Sequence, residues 1–387
     1  MDRIRKNLER HMDELCLRIG SRHTGSAGEK AAADYLENVF REYGYEPRRE
    51  DYPTIGWEYE DFQLINLTEK RSVPNAVACF FSQPVELEGK LLWLSSIDVG
   101  HLRDFPVKGR ICMVEAWNDQ TNVMGRNQIA ETLDELGAAA AIFISNFHTS
   151  LAPSTKIERS PFLKKLGVCA VSQEGAFDLA RHKNDTYRIV IKARCFDHRS
   201  CNVVASRSGT GRIGVFGAHY DTAPLIQGAG DNATGTAMVL ELARLLKDET
   251  SGIRLDFAEF SAEEYIPEFL PPGSEDYVRR HGAENIRWLM NFDDFGLLIG
   301  SPLVRVGLPE KLPAVVSPHY PVIKADAYNG DDKSFCTAGI PAVWYYDSNP
   351  FHQVHTSCDA LDTIDLDKMT AGVMDAVEVF KQLGDVK

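Results

Sequence analysis

The chain has 387 residues, 44% hydrophobic and 25% charged, which suits two or three folded domains at roughly 150 residues each and excludes wholesale disorder. Forty-two basic against 56 acidic side chains leave a formal charge of -14, which argues against a nucleic-acid partner because neutralising phosphates takes a basic surface. No run approaches ~18 consecutive apolar residues, so no membrane span or membrane partner is expected.

Residues 1–16 are charged throughout and lack the apolar centre of a secretory signal. Eight cysteines run from Cys16 to Cys358 with no Cys-x-x-Cys pair, so they read as reduced thiols, and the expected compartment is cytoplasmic. Ser26-Ala-Gly-Glu29 has capping-box spacing, and Leu36, Val39, Phe40 and Tyr43 follow on one helical face before Gly44. Residues 52–67 turn strand-like.

Residues 68–186 form a unit of their own, with strands expected at 90–94, 109–115, 138–145 and 168–172 and a helix at 128–136 closed by Gly137. Residues 148–164 read as loop, with Pro153 and Pro161. Beyond Cys201, apolar strands at 213–218, 253–260, 288–292 and 342–346 alternate with helices at 235–247 and 366–383. That alternation predicts an α/β fold, a mostly parallel central sheet with helices on both faces.

Each of these later strands ends in a polar cluster. His219-Tyr-Asp221 follows the first, and Gly228-Ala-Gly-Asp231-Asn232 stands in the loop after it. Glu263-Glu264 follows the second, Asp293-Asp294 the third, and His352-Gln-Val-His355 the fourth. Open α/β sheets place ligands at the carboxyl ends of their strands, so these clusters converge on one crevice. Imidazoles and carboxylates gathered without basic partners either shift their pKa values or hold cations. A nitrogen-and-oxygen donor set suits Zn²⁺, with Co or Mn as substitutes, and five donors suit two ions sharing a carboxylate.

These blocks closely resemble those of the M28 family of metallopeptidases: Gly217-Ala-His219-Tyr-Asp221, Gly228-Ala-Gly-Asp231-Asn232-Ala-Thr-Gly235, Phe260-Ser-Ala-Glu263-Glu264, Asn291-Phe-Asp293-Asp-Phe-Gly296 and His355-Thr-Ser-Cys-Asp359. Gly20-Ser-Arg22-His-Thr-Gly25-Ser, Asn202-Val-Val-Ala and Gly339-Ile-Pro-Ala also match family blocks. Residues 68–186 are similar to a protease-associated (PA) domain, carried by Val107-Lys-Gly-Arg-Ile and Gly137-Ala-Ala-Ala-Ala-Ile-Phe-Ile. The resemblance implies a zinc-exopeptidase domain of residues 1–67 and 187–387 with a small α+β PA-like insert at 68–186. It implies that Asp231 bridges two zinc ions, that His219 and Asp293 hold one, and that Glu264 and His355 hold the other. Glu263 becomes the general base that moves a proton from a bridging water to the leaving amine. Asp221 becomes the partner of the His219 ring N–H, and Asp231–Asn232 a cis peptide. The implied activity is removal of N-terminal residues from a peptide substrate, and a homo-oligomer is compatible with it.

Two alternatives stand beside this reading. One is a carboxypeptidase or dipeptidase of the same family, which needs arginines such as Arg207, Arg212 or Arg254 near the site. The other is a non-catalytic binding protein on the same fold. His352 is the rival of His355 for the last ligand. His23, His101, His148, His182, His198, His281 and His319 read as structural or surface residues, and Cys336 and Cys358 as small buried thiols. The chain departs from the family pattern at 265–272, where an aromatic, proline-rich stretch is expected to reshape the cleft rim. It departs again at Gly330-Asp331-Asp332, where Asp332 stands in place of a histidine. Tyr328 is a candidate contact for a substrate carbonyl.

Overall fold

The computed structural model describes residues 1–94, 99–114, 123–144, 163–249, 252–265, 270–348 and 353–384. Helix α1 (Asp2–Met12) continues through a wider helical turn into Gly20, and α2 (Ala27–Glu42) follows. Ser26 Oγ caps α2 by accepting from the Glu29 amide at 3.0 Å, and Glu29 returns a carboxylate to the Gly25 amide at 2.7 Å. The helix buries Ala32, Leu36, Val39 and Phe40.

Strand β1 (Arg48–Asn66) pairs antiparallel with β8 (Thr186–Arg207) along almost its whole length, broken by one bulge at Tyr59–Asp61. Between them lie β2 (Arg71–Ser72), β3 (Ala76–Ala78), β4 (Val85–Leu94), β5 (Ile111–Val114), α3 (Val123–Glu135), β6 (Ala140–Ile144), β7 (Gly167–Val171) and α4 (Gln173–Arg181). Strands β4, β5, β6 and β7 pair in parallel, and β3 closes the edge antiparallel. The first half of β4 also pairs with β8, so the sheet runs unbroken across residues 67 and 187. The expected separate unit is therefore grafted onto the same sheet. The strand-like reading of residues 52–67 falls on β1, whereas the length of β8 escaped the sequence because burial along the ribbon alternates only in patches.

After β8 come β9 (Thr210–His219), α5 (Thr234–Leu246), β10 (Ile253–Phe260), α6 (Pro272–His281), β11 (Ile286–Phe292), β12 (Ser301–Gly307), β13 (Val322–Lys324), α7 (Asp331–Thr337), β14 (Ala342–Ser348) and α8 (Leu366–Gly384). The four expected strands of this half are β9, β10, β11 and β14, and all pair in parallel. They are apolar throughout because helices cover both faces. Helices α1, α2, α5 and α8 bury Leu8, Phe40, Met238, Leu242, Val373 and Phe380 on one face, against Phe216, Phe257 and Trp288. Helices α6 and α7 bury Tyr277, Val278 and Phe335 on the other. Each such side chain contributes about 1.5–3 kcal/mol when fully buried. The chain leaves β9 to build β10 on one side of it and then β11 and β14 on the other. That reversal opens a crevice at the carboxyl end of β9, which is where the polar clusters stand.

Candidate active site

His219 ends β9, Asp231 lies in the loop before α5, Glu263 and Glu264 follow β10, Asp293 follows β11, and His355 lies beyond β14. The structure brings all of them together. His219 Nε2 is 3.1 Å from Asp231 Oδ1 and 3.2 Å from Asp293 Oδ1. His355 Nε2 is 2.9 Å from Asp231 Oδ2 and 3.0 Å from Glu264 Oε1. Two donor trios thus share Asp231, one carboxylate oxygen to each.

One imidazole N–H cannot aim well at two carboxylate oxygens at once. Tetrahedral ligands ~2 Å from a zinc ion lie ~3.3 Å apart, close to the spacing seen here. The donors therefore fit two divalent cations bridged by Asp231. The electrostatics agree. Burial opposes a charge on His219, yet Asp293, Asp221 and Asp231 outweigh it and hold the imidazole well above its usual value. Glu264 and Asp231 likewise overcome burial at His355. Burial would raise Asp231, but the two imidazoles facing it pull it well below the usual carboxylate range. Asp294 goes the other way, raised by burial and by Asp231 and Asp293.

Supporting groups fix these donors. The His219 Nδ1 lies 3.2 Å from the backbone carbonyl of Asp221 and 3.5 Å from its carboxylate. A hydrogen on Nδ1 then leaves the Nε2 lone pair for a cation. The Asp221 carboxylate mainly accepts from the Glu263 and Glu264 amides, at 3.0 and 3.1 Å. It was expected to orient the imidazole, and it holds the turn carrying the two glutamates as well. Asp359 accepts from the Gly230 and Asp231 amides at 2.6 and 3.2 Å. Burial and Asp231 push its carboxyl to about 7. The peptide between Asp231 and Asn232 is cis, and the Asn232 side chain donates to Phe292 O at 2.8 Å.

Arg22 is fully buried and donates to five backbone carbonyls, those of Leu15, Gly20, Tyr220, Gln227 and Gly228. It thereby ties the N-terminal turn to the loop that carries Asp231. Gly228 ends that set with φ 58°, a left-handed conformation that costs L-residues about 1–2 kcal/mol. Ala262, Asp294 and His355, all beside the donors, adopt the same region without glycine's freedom.

Glu263 is buried but belongs to neither trio. A Cβ built on Gly330 would sit 2.9 Å from Asp293 Oδ2 and 3.8 Å from Glu263 Oε1, so the start of α7 lies directly over both carboxylates. Asp331 and Asp332 follow it, buried, and burial raises them to about 7 and about 6. Tyr328 packs against Gly307, to one side of the donors. His352 and His148 lie outside the described residues, as do 266–269 of the rim stretch. Cys336 is buried as expected, whereas Cys358 is exposed, because it sits in the surface turn between His355 and Asp359. Arg207, Arg212 and Arg254 lie at the amino ends of β9 and β10, where Leu255 pairs with Arg207 and Ile253 with Thr210. At ~3.3 Å per strand residue they stand roughly 20 Å from the donors. A further trio, Glu69, His182 and Asp185, lies away from this crevice at the start of β8 and is partly exposed.

A parallel α/β sheet that gathers two donor groups able to hold cations, and a glutamate outside both, at its carboxyl edge has the build of a metallohydrolase. Residues 202–377 match the model of peptidase family M28. It is 27% identical over 264 residues to aminopeptidase YwaD of Bacillus subtilis, covering 65% of this chain and 54% of that one. It is 22% identical over 309 residues to the probable lipoprotein aminopeptidase LpqL of Mycobacterium tuberculosis, covering 77% and 59%. The chain thus spans little more than half the length of these relatives. Among solved structures, BSAP, a zinc aminopeptidase from Bacillus subtilis, superimposes with TM-score 0.76 at 21% identity over 97% of this chain and 94% of that one. A peptidase M28 precursor from Shewanella amazonensis gives TM-score 0.76 at 18% identity over 100% and 98%. The shared fold therefore includes residues 68–186.

Proposed function

We propose that the chain is a two-zinc aminopeptidase that hydrolyses the first peptide bond of its substrates, with Glu263 as general base. The observation that carries this is the Asp231 carboxylate, one oxygen facing each donor trio, with Glu263 beside them and outside both. His219, Asp231 and Asp293 would hold one ion and Asp231, Glu264 and His355 the other, with Co or Mn able to substitute. Bound there, the pair would supply Lewis acidity, polarising the scissile carbonyl and acidifying water.

The chain's own residues supply the rest. Glu263 accepts a proton from the attacking water and delivers it to the nitrogen as the C–N bond breaks, so the proton ends on the new amine. Asp221 keeps Glu263 and Glu264 diverging from one turn, through both of their amides. The crevice is acidic well beyond its donors, with Asp331 and Asp332 buried and Asp294 half-buried around it. Such a field suits a substrate's ammonium end, and the three arginines that a carboxypeptidase reading invoked lie at the far end of the strands. Residues 68–186 act in this reading as an inserted PA-like domain that frames the cleft, beside a peptidase domain of residues 1–67 and 187–387.

The test uses zinc-loaded protein and three tetrapeptides, one free, one N-acetylated and one C-amidated, with products read by mass spectrometry. Acetylation should stop cleavage and amidation should not. Glu263→Gln should lose about 10²–10⁴-fold in kcat while binding the same zinc. A Glu263→Gln variant at full rate would remove the general base from this account.

A further inference from the structure

Arg305 lies on β12 opposite Trp344 of β14, and Trp344 in turn lies opposite Asn291 of β11. These three side chains form one row across the sheet, on the face covered by α7. The guanidinium carbon stands 4.8 Å over the Trp344 ring and 5.8 Å from that of Tyr346. The indole N–H of Trp344 donates to the backbone carbonyl of Asp293 at 3.3 Å. One aromatic ring thus lies between the guanidinium and the backbone of Asp293.

Arg305 Nη2 donates to Ala327 O at 3.1 Å, its one hydrogen bond among the described residues. The residue is half-buried, and its remaining N–H groups are not sealed from solvent. Asp293, Asp294 and Asp347 lie near Tyr346 on this wall, and Asp332 lies near Arg305. The fields of Asp294 and Arg305 meet at the Tyr346 hydroxyl, and that of Arg305 reaches Asp332. A substrate carboxylate beside this wall would be repelled by these aspartates and attracted by Arg305. Stacking has already fixed the plane of that fork, so little side-chain freedom remains to be lost on binding.

We propose that Arg305 selects substrates with a carboxylate next to the reacting end, supplied by the side chain of an N-terminal Asp or Glu or by the free C-terminus of a dipeptide. The inference rests on the aminopeptidase reading and adds a substrate class to it. A guanidinium that merely covers Trp344 would affect stability and leave substrate preference alone.

The experiment measures kcat and KM of zinc-loaded wild type, Arg305→Gln and Arg305→Lys. The substrates are the p-nitroanilides of Glu, Gln and Leu, and the dipeptide Leu-Gly with its amide. In Arg305→Gln, the kcat/KM ratio of Glu over Gln, or of Leu-Gly over its amide, should fall about tenfold or more, mainly through KM. Arg305→Lys should restore part of it. Whichever ratio moves identifies the source of the carboxylate. If wild type cleaves the Leu anilide and neither ratio shifts more than twofold in Arg305→Gln, the inference is wrong. If wild type cleaves none of the five, the aminopeptidase reading fails and this inference falls with it.

Discussion

Asp359 holds the bridging aspartate by its backbone, and replacing it with Asn isolates that support. In the native site both carboxylate oxygens accept, from the Gly230 amide at 2.6 Å and the Asp231 amide at 3.2 Å, and Asp359 is fully buried. Asn keeps the shape but turns an NH₂ group towards one of these N–H donors. One hydrogen bond to a charged group is lost, worth about 1.5–3 kcal/mol, and a buried donor is left unpaired. Groups that orient metal ligands typically affect metal affinity by about 10–100-fold. The Asp359→Asn variant should therefore release zinc to a chromophoric chelator with an affinity weakened by about that factor. The titration belongs at pH 8, above the value of about 7 to which burial and Asp231 push Asp359, so that the wild-type carboxylate is ionised. A thermal melt of the zinc-loaded variant checks that the fold survives. Unchanged zinc affinity in a folded Asp359→Asn variant would refute the claim that this contact positions Asp231.

Arg22→Met should lower stability by about 3–5 kcal/mol, because five carbonyls, three of them fully buried, lose their donor, and the urea midpoint of the zinc-saturated protein reads this directly. Arg22→Lys should recover only a fraction, since one ammonium cannot reproduce the fork, and a Met variant within 1 kcal/mol of wild type would contradict the assignment. His11 is buried between the hydroxyls of Tyr35 and Tyr43, and burial, followed by Arg10, lowers its pKa to about 3. Its unfolded value is near 6.5, so the unfolded chain takes up a proton that the folded one refuses, and stability falls as pH drops through 6.5. The loss between pH 8 and pH 5 is about 2 kcal/mol, and His11→Asn should remove that part of the pH dependence in paired urea titrations. Identical pH slopes for wild type and variant would show that His11 is not held neutral.

The parts of the site that could be read from the sequence are those whose chemistry resides in side chains at strand ends. His219, Asp231, Glu264, Asp293 and His355 are residue types that bind metals, each standing just past an apolar run or in the loop beyond it. The four parallel strands were legible for a related reason, since burial on both faces leaves them continuously apolar. The supports were harder to see. Asp359 and Asp221 act on backbone amides and Arg22 on backbone carbonyls, groups that every residue carries, so no pattern of letters marks the partner. Arg22 and Asp359 stood inside recognised blocks without an assigned role. Most of β1 was legible at residues 52–67, but β8 was missed because it is paired along both edges for part of its length and its side chains face the core on alternating sides only locally.

What aims Glu263 is the least local feature of all. Its turn begins at Ser261, whose hydroxyl donates to Glu29 at 2.7 Å across 232 positions of sequence. Glu29 is the capping glutamate of α2, and it also accepts from Ser200 Oγ at 2.6 Å, so one carboxylate serves a helix start, a strand and the turn that carries Glu263. The Tyr52 hydroxyl of β1 donates to the Ser261 carbonyl at 2.8 Å, and Asp221, just past β9, holds the Glu263 and Glu264 amides. On the far side Tyr265 packs 4.6 Å from Phe81, which stacks 3.9 Å from Phe80, both within residues 68–186. The turn is thus gripped from α2, β1, β9 and the insert together. Four separate parts of the chain hold the turn that carries Glu263, and residues 68–186 are among them without contributing a donor to either trio.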